Sequence, residues 1–290
     1  MSSNAILKKI KYLMRYIPDK TYLQIYYFLQ FGKLCDFKNP TTFNEKLNWL
    51  KINNRDSLYT KLVDKYEVKE YVEKVIGGGY TIPTLGVWEH FDDINFDMLP
   101  DQFVLKCTHD SEGLVIVKDK SKMDKNAARE KIETALRHNF YYVGREWPYK
   151  NVHPRIIAEQ YMEDHIDKEL RDYKFYCFDG IPKIMYIASN RNSGHVNFDF
   201  YDMEFNHLDI TQKYPNASEP LRKPKHFKEM IELAKKLSNG FPHVRVDFYE
   251  VDSKVYFGEL TFFSMSGLTP FKPAKWDKIM GSWLTLPQKK

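Results

Sequence analysis

The stretch "HVRVDFYEVDSKVYFGELTFFSMSG", residues 243–267, constrains the fold most, because alternation on both sides of a polar tip specifies a β-hairpin. Period two puts Arg245, Asp247 and Tyr249 on one face and Val244, Val246 and Phe248 on the other. On the returning strand Val255, Phe257, Glu259 and Thr261 share a face. A turn over Asp252, Ser253 and Lys254 would pair Val251 with Val255 and set Asp247 opposite Glu259. Two carboxylates so placed repel unless something neutralises them. A Mg²⁺ ion, commonly held by one or two protein carboxylates plus nucleotide phosphates, would do so. A solvated face on which Arg245 pairs with one of the acids would serve as well.

Three other segments carry candidate chemistry. In "QFVLKCTHDSEGLVIVKDK" a strand ending near Lys106 enters a polar turn with Gly113, an arrangement suited to phosphate oxygens but also common at plain hairpin tips. "LVDKYEVKEYV" puts Lys65 on a helix, where a lysine needs no ligand to explain it. "IIAEQYMED" is an apolar strand that turns polar at Glu159 and runs toward Glu163. Its backbone could meet a purine edge and its carboxylate a ribose, or it is an ordinary strand exit.

The rest of the chain alternates between helical and β-rich blocks. Residues 5–31 read as helix broken near Pro18, and "NPTTFNEKLNWLKI" restarts with Thr42 and Glu45 spaced as a capping box. Helix continues through "SLYTKLVDKYEVKEYVEKVIG" to the glycines at 77–79. Short β runs follow in "YTIPTLGVW", "QFVLKCTHD" and "GLVIVKDK", then helix over 124–138, then strands in "PRIIAEQYM", "RDYKFYCFDG" and "IPKIMYIASN". Phe227, Met230, Ile231, Ala234 and Leu237 mark a last helical stripe, ending at Gly240. The pattern predicts an α+β protein: a helical segment over 1–60, a small α/β part over 61–160 and a larger α+β part over 161–290.

Composition narrows the function classes. An aromatic share of 16% argues against disorder, and a net charge of +5 spread over 290 residues gives little support to duplex nucleic-acid binding while leaving open a local basic pocket for an anionic small molecule. Cys35, Cys107 and Cys177 are far apart with no C-x-x-C pair, which fits a reducing cytoplasm. Lys8, Lys9, Lys11 and Arg15 interrupt the apolar residues of the N-terminus. That leaves a basic amphipathic helix, packed on the protein or touching the inner face of a membrane.

The order of these parts resembles the ATP-grasp fold. Within it, "NPTTFNEKLNWLK", "YTKLVDKYEVKEYV", "FVLKCTHDSEG", "GREWPYKN", "DYKFYCFDG", "GFPHVRVDFY" and "FGELTF" resemble the TupA-like ATP-grasp family, associated with teichuronopeptide and other bacterial surface polysaccharides. The resemblance covers about residues 36–285. It implies an ATP-dependent carboxylate–amine ligase acting through an acyl phosphate, with ATP between two α+β subdomains and Mg²⁺ as cofactor. By motif position, Lys65 and Lys106 would contact the phosphates, covered by the hairpin residues His109, Ser111 and Gly113. Glu159, Gln160, Tyr161 and Met162 would meet adenine, with Glu163 or Glu169 on the ribose. Asp247, Glu259 and Thr261 form the metal set, and Arg245 would face the transferred phosphoryl group. Lys174 in "DYKF" and Arg191 in "SNRNSGH" are candidate anion binders near an acceptor, and equally plain sheet-edge cations. The partners implied are a saccharide or small molecule with a carboxylate, and an amine.

Two departures stand out. Thr261 occupies a place where many relatives have Asn, and Asp110 and Glu112 put negative charge in the covering loop. Rival functions on the same residues are a sugar kinase, a glycosyltransferase holding a nucleotide-sugar through Asp247 and Glu259, and a nucleotide-binding scaffold without turnover.

Overall fold

The computed structural model describes residues 14–164, 170–191 and 194–288, so the basic segment Lys8–Lys11 and Glu169 lie outside the described residues. In chain order the helices and strands are α1 (Asp19–Phe31), α2 (Phe43–Asn53), α3 (Leu58–Val63), α4 (Val68–Ile76), β1 (Thr84–Trp88), β2 (Phe103–Cys107), β3 (Leu114–Val117) and α5 (Lys125–Leu136). There follow α6 (Tyr141–Gly144), β4 (Ile156–Gln160), β5 (Asp172–Phe178), β6 (Ile181–Ser189), β7 (Asn197–Asp202), β8 (His207–Leu208), α7 (Phe227–Ser238), β9 (His243–Val251), β10 (Lys254–Thr261) and α8 (Lys275–Trp283). The protein is α+β, with two antiparallel sheets ordered β1-β4-β2-β3 and β10-β9-β5-β6-β7-β8. It divides into two compact units, Met1–Arg55 with Asp164–Lys290, and Asp56–Glu163.

In the Asp56–Glu163 unit, period two separates an apolar face from a charged one. Phe103, Leu105, Cys107, Ile156 and Ala158 pack against Ala128, Ile132 and Ala135 of α5. Val104, Lys106, Ile157 and Glu159 therefore share the opposite face. The helix expected to run unbroken through 57–76 is two helices. Asp64 Oδ1 accepts from Tyr66 N (2.8 Å) and Glu67 N (3.1 Å), a side-chain turn that ends α3 and places Lys65 between the helices, not on one.

In the other unit, Phe175 and Val246, cross-strand partners, lie on the face covered by α7, where the Phe227 ring stands 5.9 Å from that of Phe175. Lys174 and Asp247, also partners, necessarily lie on the other. α2 starts with the expected capping box: Thr42 Oγ1 accepts from Glu45 N at 3.3 Å and Glu45 Oε2 from Thr42 N at 3.1 Å. Its first residue, Phe43, packs edge-on against Tyr176 (5.9 Å) and Phe178 (5.8 Å), so this helix roofs part of the charged face. β7 is a strand the pattern reading leaves unassigned; its buried Asp199, on the face opposite Phe198 and Phe200, accepts from Ala217 N at 3.0 Å.

The β9–β10 hairpin reaches the expected acid pairing by a different turn. Only Asp252 and Ser253 form the tip, both left-handed (φ 49° and 62°), so Val251 pairs with Lys254 rather than Val255. The register then shifts between Phe257 and Glu259, and the extra residue, Gly258, returns Glu259 to a position opposite Asp247. A Cβ on Gly258 would lie 3.1 Å from the Asp247 carbonyl oxygen, which is why the smallest residue stands there.

Candidate active site

The charged face of the large sheet is a set of rows. Glu259, Asp247, Lys174 and Tyr186 stand side by side on β10, β9, β5 and β6, and Thr261, Arg245 and Tyr176 form the adjacent row. Arg245 ties the rows together: Nε donates to Asp247 Oδ1 and Nη2 to Asp247 Oδ2, both at 2.7 Å. Nη2 also lies 2.8 Å from Glu259 Oε1 and 3.0 Å from Thr261 Oγ1. Nη1 approaches Ser264 Oγ at 3.2 Å and Tyr186 OH at 3.4 Å. Lys174 pairs with Asp247 and, at 3.2 Å, with Asp172, which Arg191 also engages.

Three cations thus meet three carboxylates. Asp247 is fully buried and Arg245 5% exposed, whereas the Glu259 and Arg191 side chains are 42% and 55% exposed. Burial pushes the Asp247 carboxyl above its usual range against the pull of Arg245 and Lys174, while Arg245 is held well above its own by Asp247 even though burial opposes this. A cluster balanced in this way leaves no surplus positive charge for a triphosphate. An anion of that charge would have to bring a cation with it.

The donor chemistry fits a magnesium–nucleotide complex of the kind that takes one or two protein carboxylates and phosphate oxygens for the rest. Glu259 and Asp247 are hard oxygen ligands side by side, Glu259 being the open one. Among the described residues no group of three or more His, Cys, Asp or Glu side chains forms an all-protein cage. Thr261 is engaged by its neighbours: its hydroxyl donates to Glu259 Oε1 at 3.0 Å and accepts from Arg245.

The Asp56–Glu163 unit carries a second cluster. Glu159 is a buried strand residue, 4% exposed, and its carboxylate binds Lys69, a residue the sequence reading passed over, together with Lys106 at 2.6 Å. Lys69 Nζ also donates to Ile82 O (2.7 Å) and Thr84 Oγ1 (2.6 Å). Burial alone would push Glu159 up, but the two ammoniums outweigh it and hold its carboxyl below the ordinary range. Two cations on one carboxylate leave this cluster positive, as a phosphate site requires.

Around it the expected residues divide. Lys65 Nζ donates to the Asp110 carbonyl and its own N–H to Thr108 O at 3.2 Å, so it holds the base of the loop. His109 is 2% exposed with Nε2 3.2 Å from Ala135 O and 3.1 Å from His138 O, an anchor onto the end of α5. Asp110 Oδ1 accepts from Gly113 N (2.9 Å) and Glu112 N (3.2 Å); its charge is turned onto the loop's own backbone. Ser111 is exposed, and Gly113 is buried where a Cβ would meet Cys107 Sγ at 2.5 Å. Gln160 is exposed at the strand end, its N–H donating to Pro83 O at 3.0 Å, and Tyr161 and Met162 are half-buried. Tyr161 and Glu163 both meet Lys118, 5.4 Å from the ring and 3.2 Å from the carboxylate.

The Glu159 cluster makes a pH prediction. Its folded value lies below the unfolded one, so its stabilisation is complete above the ordinary value of 4.5 and is lost as pH falls through the folded value. Glu159→Gln should remove that part of the acid-side fall in denaturation midpoint measured across pH 3 to 6. An unchanged slope would show that the lysines do not act on Glu159.

Lys69 lies four residues after Lys65, one helical turn, and that spacing was the available signal; Asp172, two residues before Lys174, shares its strand face in the same way. A family profile described as TupA-like ATPgrasp matches residues 45–285. No curated protein matches the chain. Among solved structures, the D-alanine-D-alanine ligase from Helicobacter pylori is similar over 84% of this chain and 69% of its own, at 15% identity and a TM-score of 0.46. The D-alanine-D-alanine ligase from Bacillus anthracis complexed with ATP is similar over 86% of this chain and 63% of its own, at 16% identity and a TM-score of 0.40. For the RimK domain ATP-grasp protein from Sphaerobacter thermophilus the shares are 80% and 70%, at 11% identity and a TM-score of 0.42.

Proposed function

The chain belongs to the TupA-like ATP-grasp family, and on that premise we propose that it joins an amine to the carboxylate of a uronic acid or amino acid of a bacterial surface polysaccharide or its precursor. It is an ATP-dependent ligase. The single observation that carries the reading is Arg245 bridging buried Asp247 and half-exposed Glu259 beside Lys174, an ion cluster on one sheet face. Such an array suits phosphoryl transfer, where positioning and charge stabilisation do most of the work.

In the first step a carboxylate oxygen of the substrate attacks the γ-phosphorus of ATP and ADP leaves, giving an acyl phosphate. In the second an amine attacks the acyl carbon, inorganic phosphate leaves with the bonding pair, and the nitrogen loses its proton. Lys106 binds phosphate oxygens, and Lys69, whose three N–H donors go to Glu159, Ile82 O and Thr84 Oγ1, lends its charge nearby and holds Glu159 in place before nucleotide arrives. Arg245 and Lys174 stabilise the charge on the transferred group, and half-exposed Arg191 binds the acceptor's anionic part. Glu259, with Asp247, would hold a magnesium ion, which neutralises phosphate charge when bound. We place this chemistry in the cytoplasm. Among the described residues no helix is long and apolar enough to cross a membrane.

The test is trapping. Incubation with ATP, Mg²⁺, a panel of uronic and amino acids and hydroxylamine should give a hydroxamate and ADP in equal amounts. A phosphorylated sugar as the stable product would replace the ligase by a kinase, and transfer from a UDP-sugar by a glycosyltransferase.

A further inference from the structure

α2 buries a polar stripe that the proposed chemistry leaves unused. Asn44, Asn48 and Lys51 fall at i, i+4 and i+7, one face of the helix, and each is fully buried. An ammonium in such a place is unfavourable unless its hydrogen bonds serve a defined geometry.

The stripe grips one turn. After β10 the chain passes through Ser264–Gly267, where Met265, Ser266 and Gly267 are consecutively left-handed (φ 50°, 54° and 56°), a conformation that persists only when its surroundings impose it. Lys51 Nζ donates to Ser266 O at 2.6 Å and Asn48 Nδ2 to Gly267 O at 2.7 Å. A Cβ on Gly267 would fall 2.9 Å from Leu47 Cβ, 3.1 Å from Asn48 Nδ2 and 3.3 Å from Asn44 O, so the turn sits directly against the helix and only glycine fits there. Asn44, at the start of the stripe, holds α8 instead of the turn, its N–H and Nδ2 each donating to Asp277 Oδ1 at 2.9 Å.

The turn's first residue reaches the reaction centre. Ser264, 2% exposed, accepts from Arg245 Nη1 at 3.2 Å and shares a hydrogen bond with Tyr176 OH at 2.9 Å. Tyr176 OH in turn lies 3.4 Å from Gln212 Oε1, and Gln212 Nε2 donates to Thr269 O at 3.0 Å, returning to the chain just beyond the turn. We propose that Ser264 is a positioning residue for Arg245, and that Asn48 and Lys51 of α2 set the place of Ser264 by clamping its left-handed turn. The stripe aims the guanidinium; it does not touch substrate. The inference rests on the phosphoryl-transfer reading only for what Arg245 does once aimed.

Two measurements separate the inference from that reading. In protein labelled with ¹⁵N-arginine, the Nε–H of Arg245, identified by its absence from Arg245→Lys, should exchange with solvent at least tenfold faster in Ser264→Ala and in Lys51→Met than in wild type. Calorimetry with MgADP, with and without aluminium fluoride as a mimic of the transferred phosphoryl group, should then show the same two variants losing about tenfold of the tightening while MgADP alone binds as before. Their double variant should lose no more than the worse single one, because both act through one turn. Unchanged Nε–H exchange in Ser264→Ala, which keeps the helix intact, overturns the inference, as do losses that multiply. Wild-type protein that binds MgADP without tightening in aluminium fluoride overturns the phosphoryl-transfer reading instead.

Discussion

Arg245→Leu is expected to lose about 3–5 kcal/mol of folding stability near neutral pH, the order seen when one partner of a buried ion cluster is removed and the other left behind. The leucine fills much of the space but leaves fully buried Asp247 with Lys174 alone, opposite Glu259 on the neighbouring strand. The loss carries a pH signature. The folded pKa of Asp247 is already raised by burial, and without the guanidinium it rises further. A carboxyl of this kind contributes stability that is fully present below its unfolded value and lost as pH rises through the folded one. The deficit should therefore shrink as pH is lowered toward the ordinary aspartate value of 3.8. Denaturant unfolding of both proteins at several pH values checks this, and a deficit independent of pH would show that Asp247 is neutral or otherwise paired.

Lys106→Met should weaken MgADP binding roughly 10- to 100-fold, the worth of one charge-assisted hydrogen bond to phosphate, and Lys69→Met, which removes a neighbouring charge and loosens Glu159, roughly 5- to 10-fold. Each single variant leaves Glu159 one ammonium partner, so folding is retained. Lys65→Met, whose ammonium donates to the Asp110 carbonyl at the base of the loop, should change binding less than about threefold. Titration calorimetry orders the three, and a Lys65 effect exceeding that of Lys69 would contradict the assignment.

The lysines show where a one-dimensional pattern stops. Lys65 and Lys69 are equivalent to a periodicity argument, and what separates them is the Asp64 side-chain turn, which ends one helix and starts the next. The acid pair on the hairpin came out as expected only because two departures cancel: period two breaks at the bulge, so Val255 and Phe257 lie on the face opposite Glu259 and Thr261 instead of sharing it. Asp252-Ser253 lacks the glycine that usually marks a left-handed two-residue tip, and the Gly258 bulge then cancels the one-residue error. Asp172 and Lys174 follow from strand alternation alone. Ser264 follows from nothing local, since it lies past the strand end and reaches Arg245 through a turn shaped by a helix some 210 residues earlier. The acidic loop that looked unfavourable for phosphate is resolved the same way: Asp110 faces its own backbone, a contact invisible without coordinates.

The most direct test of the central claim is thermal unfolding with Mg²⁺ and ATP, ADP, UDP or UDP-sugars, in the wild type and in Lys106→Ala and Glu259→Gln. Glu259 serves better than Asp247 here because its side chain is 42% exposed and its loss leaves no buried charge behind. A ligand present at about 100 times its Kd stabilises by about 2.7 kcal/mol, a rise on the order of 5 °C for a chain of this size. That rise is expected with ATP and ADP, none with uridine nucleotides, and no more than about half of it in either variant while both remain folded. A rise with UDP or UDP-sugars alone would contradict the central claim.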